Sequence, residues 1–159
     1  RPANVDDPAH LRAIIAALVE LSRDVPVLFP VHPRTRHWLA AMEIDAGDPA
    51  RFRLLDPLGY LDMLSLVSHA ALVITDSGGL QEETTFLGVP CLTVRPSTER
   101  PITCTQGTNR LVSGDRDALL HAARDTLRGQ YPSRPAIDQW DGRAAERIAC
   151  VLCHCSDGR

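Results

Sequence analysis

Lysine is absent from these 159 residues, and all 17 basic side chains are arginine. That excludes a P-loop lysine and any lysine Schiff base. Arginine suits two-pronged phosphate recognition, although a total absence of lysine is first of all a compositional bias. Long apolar runs are missing too: none approaches the roughly 20 residues a helix needs to cross a bilayer. There is little charge imbalance. With 23% charged residues and a net charge of −3, nothing points to nucleic acid or an anionic membrane. Repeats and low-complexity segments are lacking. The chain opens on Arg1-Pro2-Ala3-Asn4, with neither Met nor a signal-peptide pattern, so a processed or partial chain in the cytoplasm is expected.

Cysteines are few and odd in number: Cys91, Cys104, Cys150, Cys153 and Cys155. Without a secretory signal they read as reduced thiols. Cys150-Val151-Leu152-Cys153-His154 spells the C-x-x-C-H of a haem attachment site. It continues a helical pattern and no export signal accompanies it, so no haem is expected. Zinc on Cys150, Cys153, His154 and Cys155 would lack a second ligand pair at finger spacing. No metal and no cofactor are therefore expected, and Cys150 and Cys153 read as apolar filling of a C-terminal helix.

What is present is alternation. The length suffices for one domain with a real core. Asp7-Pro8 reads as a helix cap followed by a first-turn proline, and Leu11, Ile14, Ile15, Leu18 and Leu21 recur at helical spacing. Strands are expected at 25–31, 52–55, 71–75 and 91–94, with a short last strand at 110–112. Helices are expected at about Thr35–Met42, at Tyr60–Ser68 with Leu61, Leu64 and Val67 inward, at Asp115–Arg128 with Gly129 just past its end, and at about Asp141–Val151. Strands alternating with helices imply an α/β fold: a Rossmann-like parallel sheet flanked by helices, with right-handed crossovers. The first four strands are expected to share one sheet.

Everything converges on Asp76-Ser77-Gly78-Gly79-Leu80-Gln81-Glu82-Glu83. The apolar run Ala70–Thr75 leads into it as a buried parallel strand, and a helix follows. Free N–H groups at a helix N-terminus favour a phosphate, and two glycines allow a ligand close to the backbone. Ser77 is placed either to cap the helix or to donate to a phosphate oxygen, and Glu83 to accept from sugar hydroxyls. The plainer alternative is an ordinary strand–turn–helix corner. Downstream, Leu87-Gly88-Val89-Pro90 ends the helix with Gly88 as its C-cap. Cys91–Val94 is the next strand, and Thr98-Glu99-Arg100-Pro101 forms a loop at the same sheet edge, where open α/β sheets bind ligands.

These segments, with Gly107-Thr108 after them, resemble the C-terminal domain of the UDP-N-acetylglucosamine 2-epimerases. Their two-domain GT-B type fold is shared with a large class of glycosyltransferases. The match is dense over residues 70–115, with weaker echoes at Arg1–Asp6, Pro30-Val31-His32-Pro33, Asp56-Pro57-Leu58 and Asp141–Ala144. It implies that residues 1–155 form the nucleotide-binding C-terminal domain, with 156–159 a tail. The N-terminal domain and the strand that precedes Arg1 in the family are not in this sequence.

The resemblance implies a reaction as well: UDP is eliminated from UDP-N-acetylglucosamine as a base removes the proton at C2, then added back to give UDP-N-acetylmannosamine. The catalytic carboxylates belong to the other domain, so no catalytic residue is assigned here. Ser77, Gly78 and Gly79 match diphosphate-binding positions, Glu83 a ribose acceptor and Arg100 an arginine beside the nucleotide, with a surface ion pair to Glu99 or Asp76 as the alternative. Arg1 matches the start of a motif near the diphosphate. Met63 stands where the family often has an aromatic against uracil, and Ala3 where it often has Glu. His32 matches a histidine of an allosteric site in some members; the alternative is a capped strand end. The other histidines carry no assigned role. A homodimer is the family's usual state. A hydrolysing epimerase that releases N-acetylmannosamine, a glycosyltransferase domain and a UDP-binding fragment without catalysis stay open.

Overall fold

The computed structural model describes residues 2–42, 48–131 and 137–156. Arg1, one of the expected nucleotide contacts, lies outside them. The described residues form eight helices and five strands in order: α1 (Pro2–Val5), α2 (Pro8–Leu21), β1 (Val27–Pro30), α3 (Pro33–Ala41), β2 (Phe52–Leu55), α4 (Tyr60–Ser68), β3 (Val73–Thr75), α5 (Gly78–Leu87), β4 (Cys91–Val94), α6 (Pro101–Thr105), β5 (Asn109–Val112), α7 (Arg116–Leu127) and α8 (Ala144–Ser156).

Local chemistry accounts for most of the boundaries. The Asp7 carboxylate accepts from the Ala9 and His10 N–H groups and caps α2, with Pro8 in its first turn. All five residues expected on the inner face of α2 are buried. Asp115 caps α7 in the same way through Asp117 and Ala118. Gly88 ends α5 in the left-handed conformation at φ 74°, and Gly129, at φ 87°, follows α7. These are positions where a side chain costs energy and glycine does not.

All strand pairs are parallel, as alternation requires, but the strands do not make one sheet. β1 pairs with β2, and β3-β4-β5 form a separate three-stranded sheet. The pairing Val73↔Cys91 and Thr93↔Leu111 sets the register of the larger sheet. Among the described residues no main-chain ladder joins the two. The expectation of a single sheet is thus corrected: a central neighbour for β1 and β3 is not supplied by any strand described here.

Side chains hold the sheets together instead. Phe52 and Val31 share one core with Leu92, Val94 and Val112, beneath the buried faces of α2 and α7. The other face of β3-β4 forms a smaller cluster of Val67, Val73, Val89 and Cys91, with Met63 and Leu80 packed against it. β4 is therefore buried along its whole length, the mark of a parallel strand covered on both faces.

Three further expectations shift. Leu61 is 76% exposed rather than inward, while Val67 on the same helix is buried. The last helix begins at Ala144 and runs through Ser156, and Cys150 and Cys153 are exposed on it, so they fill no core. α3 starts at Pro33 rather than Thr35. No helix among the described residues is long and apolar enough to cross a membrane.

Candidate functional site

The Ser77 corner lies where β3 ends and α5 begins. Ser77 is the N-cap residue by backbone conformation, but its hydroxyl makes no capping bond, so the capping role is not taken up. Neither Gly78 nor Gly79 has positive φ; these glycines are not demanded by backbone shape. At Gly79 an added Cβ would meet nothing nearer than the Ser77 hydroxyl, 4.0 Å away. The corner is thus a helix N-terminus that is exposed and open at Gly79, while the Ser77 N–H is already bonded to Thr75 Oγ1 at 3.1 Å.

Asp76 begins the corner. Its carboxylate accepts from Asn4 Nδ2 at 2.9 Å, and the same amide donates to the Val94 carbonyl at 3.0 Å. Asn4 therefore bridges the carboxyl ends of β3 and β4. Burial pushes the Asp76 carboxyl up, but hydrogen bonds, the one from Asn4 among them, outweigh it and hold the group below its ordinary value.

The loop after β4 brings Arg100 to this edge. Arg100 pairs with neither Glu99 nor Asp76: its Nε lies 3.0 Å from Glu82 Oε1. Glu99 is engaged by Arg95 through two bonds of 2.8 and 2.7 Å. Glu83 is half-buried on the first turns of α5 and has no ion pair or hydrogen bond among the described residues. Met63 packs on the α4–α5 side of the corner, against the smaller core. His32 caps a helix, not a strand: at the start of α3 its Nδ1 accepts from the Arg34 N–H at 3.3 Å.

A residue that the sequence reading passed over ties these pieces together. Gln81, in the second turn of α5, has no exposed surface at all. Its Nε2 donates to the Ser77 carbonyl at 3.2 Å. Its Oε1 accepts from Thr98 Oγ1 at 2.6 Å and from Asn109 Nδ2 at 3.1 Å. Thr98 Oγ1 in turn accepts from the Arg100 N–H at 2.9 Å. Asn109 Nδ2 also donates to Thr103 Oγ1 at 3.1 Å, whose hydroxyl donates to the Arg100 carbonyl at 2.7 Å. Asn109 Oδ1 accepts from Thr93 on β4 at 2.7 Å. A buried amide must find partners, and these two find them in the corner and in the loop.

The family model described as UDP-N-acetylglucosamine 2-epimerase matches residues 1–153. This chain belongs to that family. A UDP-2,3-diacetamido-2,3-dideoxy-D-glucuronate 2-epimerase of Pseudomonas aeruginosa is 40% identical over 96% of this chain and 42% of its own length. A UDP-N-acetylglucosamine 2-epimerase of Methanocaldococcus jannaschii is 34% identical over 96% and 42%. A structure of that archaeal epimerase in complex with UDP-GlcNAc and UDP superposes with a TM-score of 0.77 at 32% identity, covering 97% of this chain and 43% of that one. The chain thus spans rather less than half the length of the relatives it matches, and its α/β architecture is that of the GT-B type epimerases.

Proposed function

We propose that this chain is the UDP-binding half of a UDP-N-acetylglucosamine 2-epimerase, which interconverts UDP-N-acetylglucosamine and UDP-N-acetylmannosamine by eliminating and re-adding UDP. The observation that carries this reading is the juxtaposition at one sheet edge of the open Ser77-Gly78-Gly79 helix start and the Arg100 loop, in a member of this family. The helix N–H groups and dipole suit the diphosphate, Arg100 adds a planar cation for it, and Glu83 accepts from the ribose. Arg1 is assigned to the diphosphate by its motif position, and Met63 to the side of the base. UDP departure needs its developing charge stabilised, and that is what such a site supplies. The base and acid would come from an N-terminal domain, completing a cytoplasmic homodimeric enzyme. His32 is a candidate for an allosteric substrate contact.

The test is product formation from UDP-N-acetylglucosamine by this chain alone and with an N-terminal epimerase domain added. Epimerisation only in the second case supports the reading; free N-acetylmannosamine would indicate the hydrolysing variant. No UDP binding by either preparation would overturn it. The 40% identity to the Pseudomonas aeruginosa enzyme favours a second substrate, the UDP-linked diacetamido uronate, which the same assay distinguishes when it is offered in parallel.

A further inference from the structure

We infer that Gln81, with Thr98 and Asn109, is a positioning device that makes the Ser77 corner and Arg100 one rigid anion site. This rests on the nucleotide reading above, but on different atoms. None of the three side chains needs to touch a ligand. The Gln81 side chain bonds both to the corner, through the Ser77 carbonyl, and to the loop, through Thr98. Arg100 itself sits on an exposed loop, where a long side chain on a mobile backbone would lose freedom on binding. Here both backbone polar groups of Arg100 are held by threonine hydroxyls: the N–H by Thr98 and the carbonyl by Thr103. Each hydroxyl is fixed in turn by a buried amide, Thr98 by Gln81 and Thr103 by Asn109. Gln81, Asn109 and Thr103 are buried and Thr98 is half-buried, while the guanidinium is partly exposed. Gly107 fits the same frame: a Cβ there would lie 2.5 Å from the Thr103 carbonyl and 2.6 Å from Thr85, so the turn into β5 closes tightly on the network.

Thr98→Val keeps shape but removes both hydroxyl bonds; Thr98→Ser keeps them. Titration with UDP and with uridine, in wild type, both Thr98 variants, Arg100→Lys and the Thr98→Val/Arg100→Lys double variant, tests the inference. Thr98→Val should weaken UDP by about five- to tenfold and uridine by less than about twofold. Thr98→Ser should restore UDP binding, and Thr98→Val should cost nothing more once Arg100 is replaced. Equal losses for UDP and uridine, or additive losses in the double variant, would overturn it. If the wild type binds no UDP, the nucleotide reading fails, and hydrogen exchange on the free chain decides the positioning role by itself. Protection of residues 98–104 should fall in Thr98→Val and return in Thr98→Ser while β3–β5 stay protected; unchanged protection would refute the clamp.

Discussion

Arg100 leans on Glu82, Nε to Oε1 at 3.0 Å, and leaves the neighbouring Glu83 clear of it. Two adjacent carboxylates on α5 thereby differ: Glu82 is engaged by the arginine, and half-buried Glu83 has no ion pair or hydrogen bond among the described residues. The pair is about half exposed on both sides, so it is worth no more than ~1 kcal/mol. Glu82→Gln should free the guanidinium and tighten UDP by up to about fivefold at low salt. The check is calorimetry at two ionic strengths; weaker binding in Glu82→Gln would mean that Glu82 orients Arg100 rather than competing for it.

Glu83→Gln should weaken UDP and uridine alike, because a charge-assisted bond to a sugar hydroxyl, worth roughly 1.5–3 kcal/mol, is common to both. Arg100→Lys should weaken UDP more than uridine, since only UDP carries the phosphates that the planar fork suits. Unchanged uridine binding in Glu83→Gln would remove Glu83 from the ribose.

Glycine positions separate ligand space from packing. At Gly79 a methyl group meets no atom beyond its chain neighbours and its own helix backbone closer than the Ser77 hydroxyl at 4.0 Å. Gly79→Ala should therefore keep or raise stability, by up to about 1 kcal/mol, while weakening UDP binding by occupying the space before the corner. Gly107→Ala should do the opposite and lower the melting temperature, because its Cβ would lie within 2.6 Å of Thr85. Thermal melts and UDP titration of the two variants side by side test this; a Gly79→Ala protein that binds UDP normally would place the ligand elsewhere.

Two carboxyls give stability an acid dependence. Asp76 is raised by burial but lowered further by hydrogen bonds, and Asp141 is lowered by the hydrogen bond from Arg147, so both fall below the ordinary value of 3.8. Depressed in the folded state, they contribute stability that is complete above the unfolded value and lost as pH falls through the folded ones. The melting temperature should be flat near neutrality and decline below about pH 4. Asn4→Ala should make that decline shallower; an acid limb identical to wild type would remove Asn4 from the effect.

Features with local causes were legible in the sequence. The Asp7-Pro8 start, the apolar face of α2, Gly88 after α5 and the strand–corner–helix around Ser77 depend on residues a few positions apart. Features made by distant partners were not. The split between β1-β2 and β3-β4-β5 concerns pairings that no local pattern encodes. Leu61 has the right spacing to be inward, yet nothing described packs on that side of α4. Cys150 and Cys153 follow helical periodicity on a helix whose apolar side, with Ile148, Val151 and Leu152, is exposed. Gln81 is the instructive omission: a glutamine in an early helical turn reads as a surface residue. Its burial is created by β4, β5 and the 95–100 loop closing over it. A faint sign was the polar Thr93 within the expected strand 91–94, with Thr98 in the loop that follows it.

That no ladder joins the two sheets among the described residues also dictates an order of events. Main-chain hydrogen bonds make each sheet cooperative within itself, whereas among the described residues the two are joined by side chains packed under α2 and α7. Under rising urea the chain should come apart at that seam, with residues 27–30 and 52–55 exchanging their amide hydrogens before residues 91–94. Since Ser77, Gln81 and Arg100 all belong to the larger piece, the anion corner should outlast the unfolding of its neighbour, and a bound nucleotide would brace one piece while leaving the other as easily released as before.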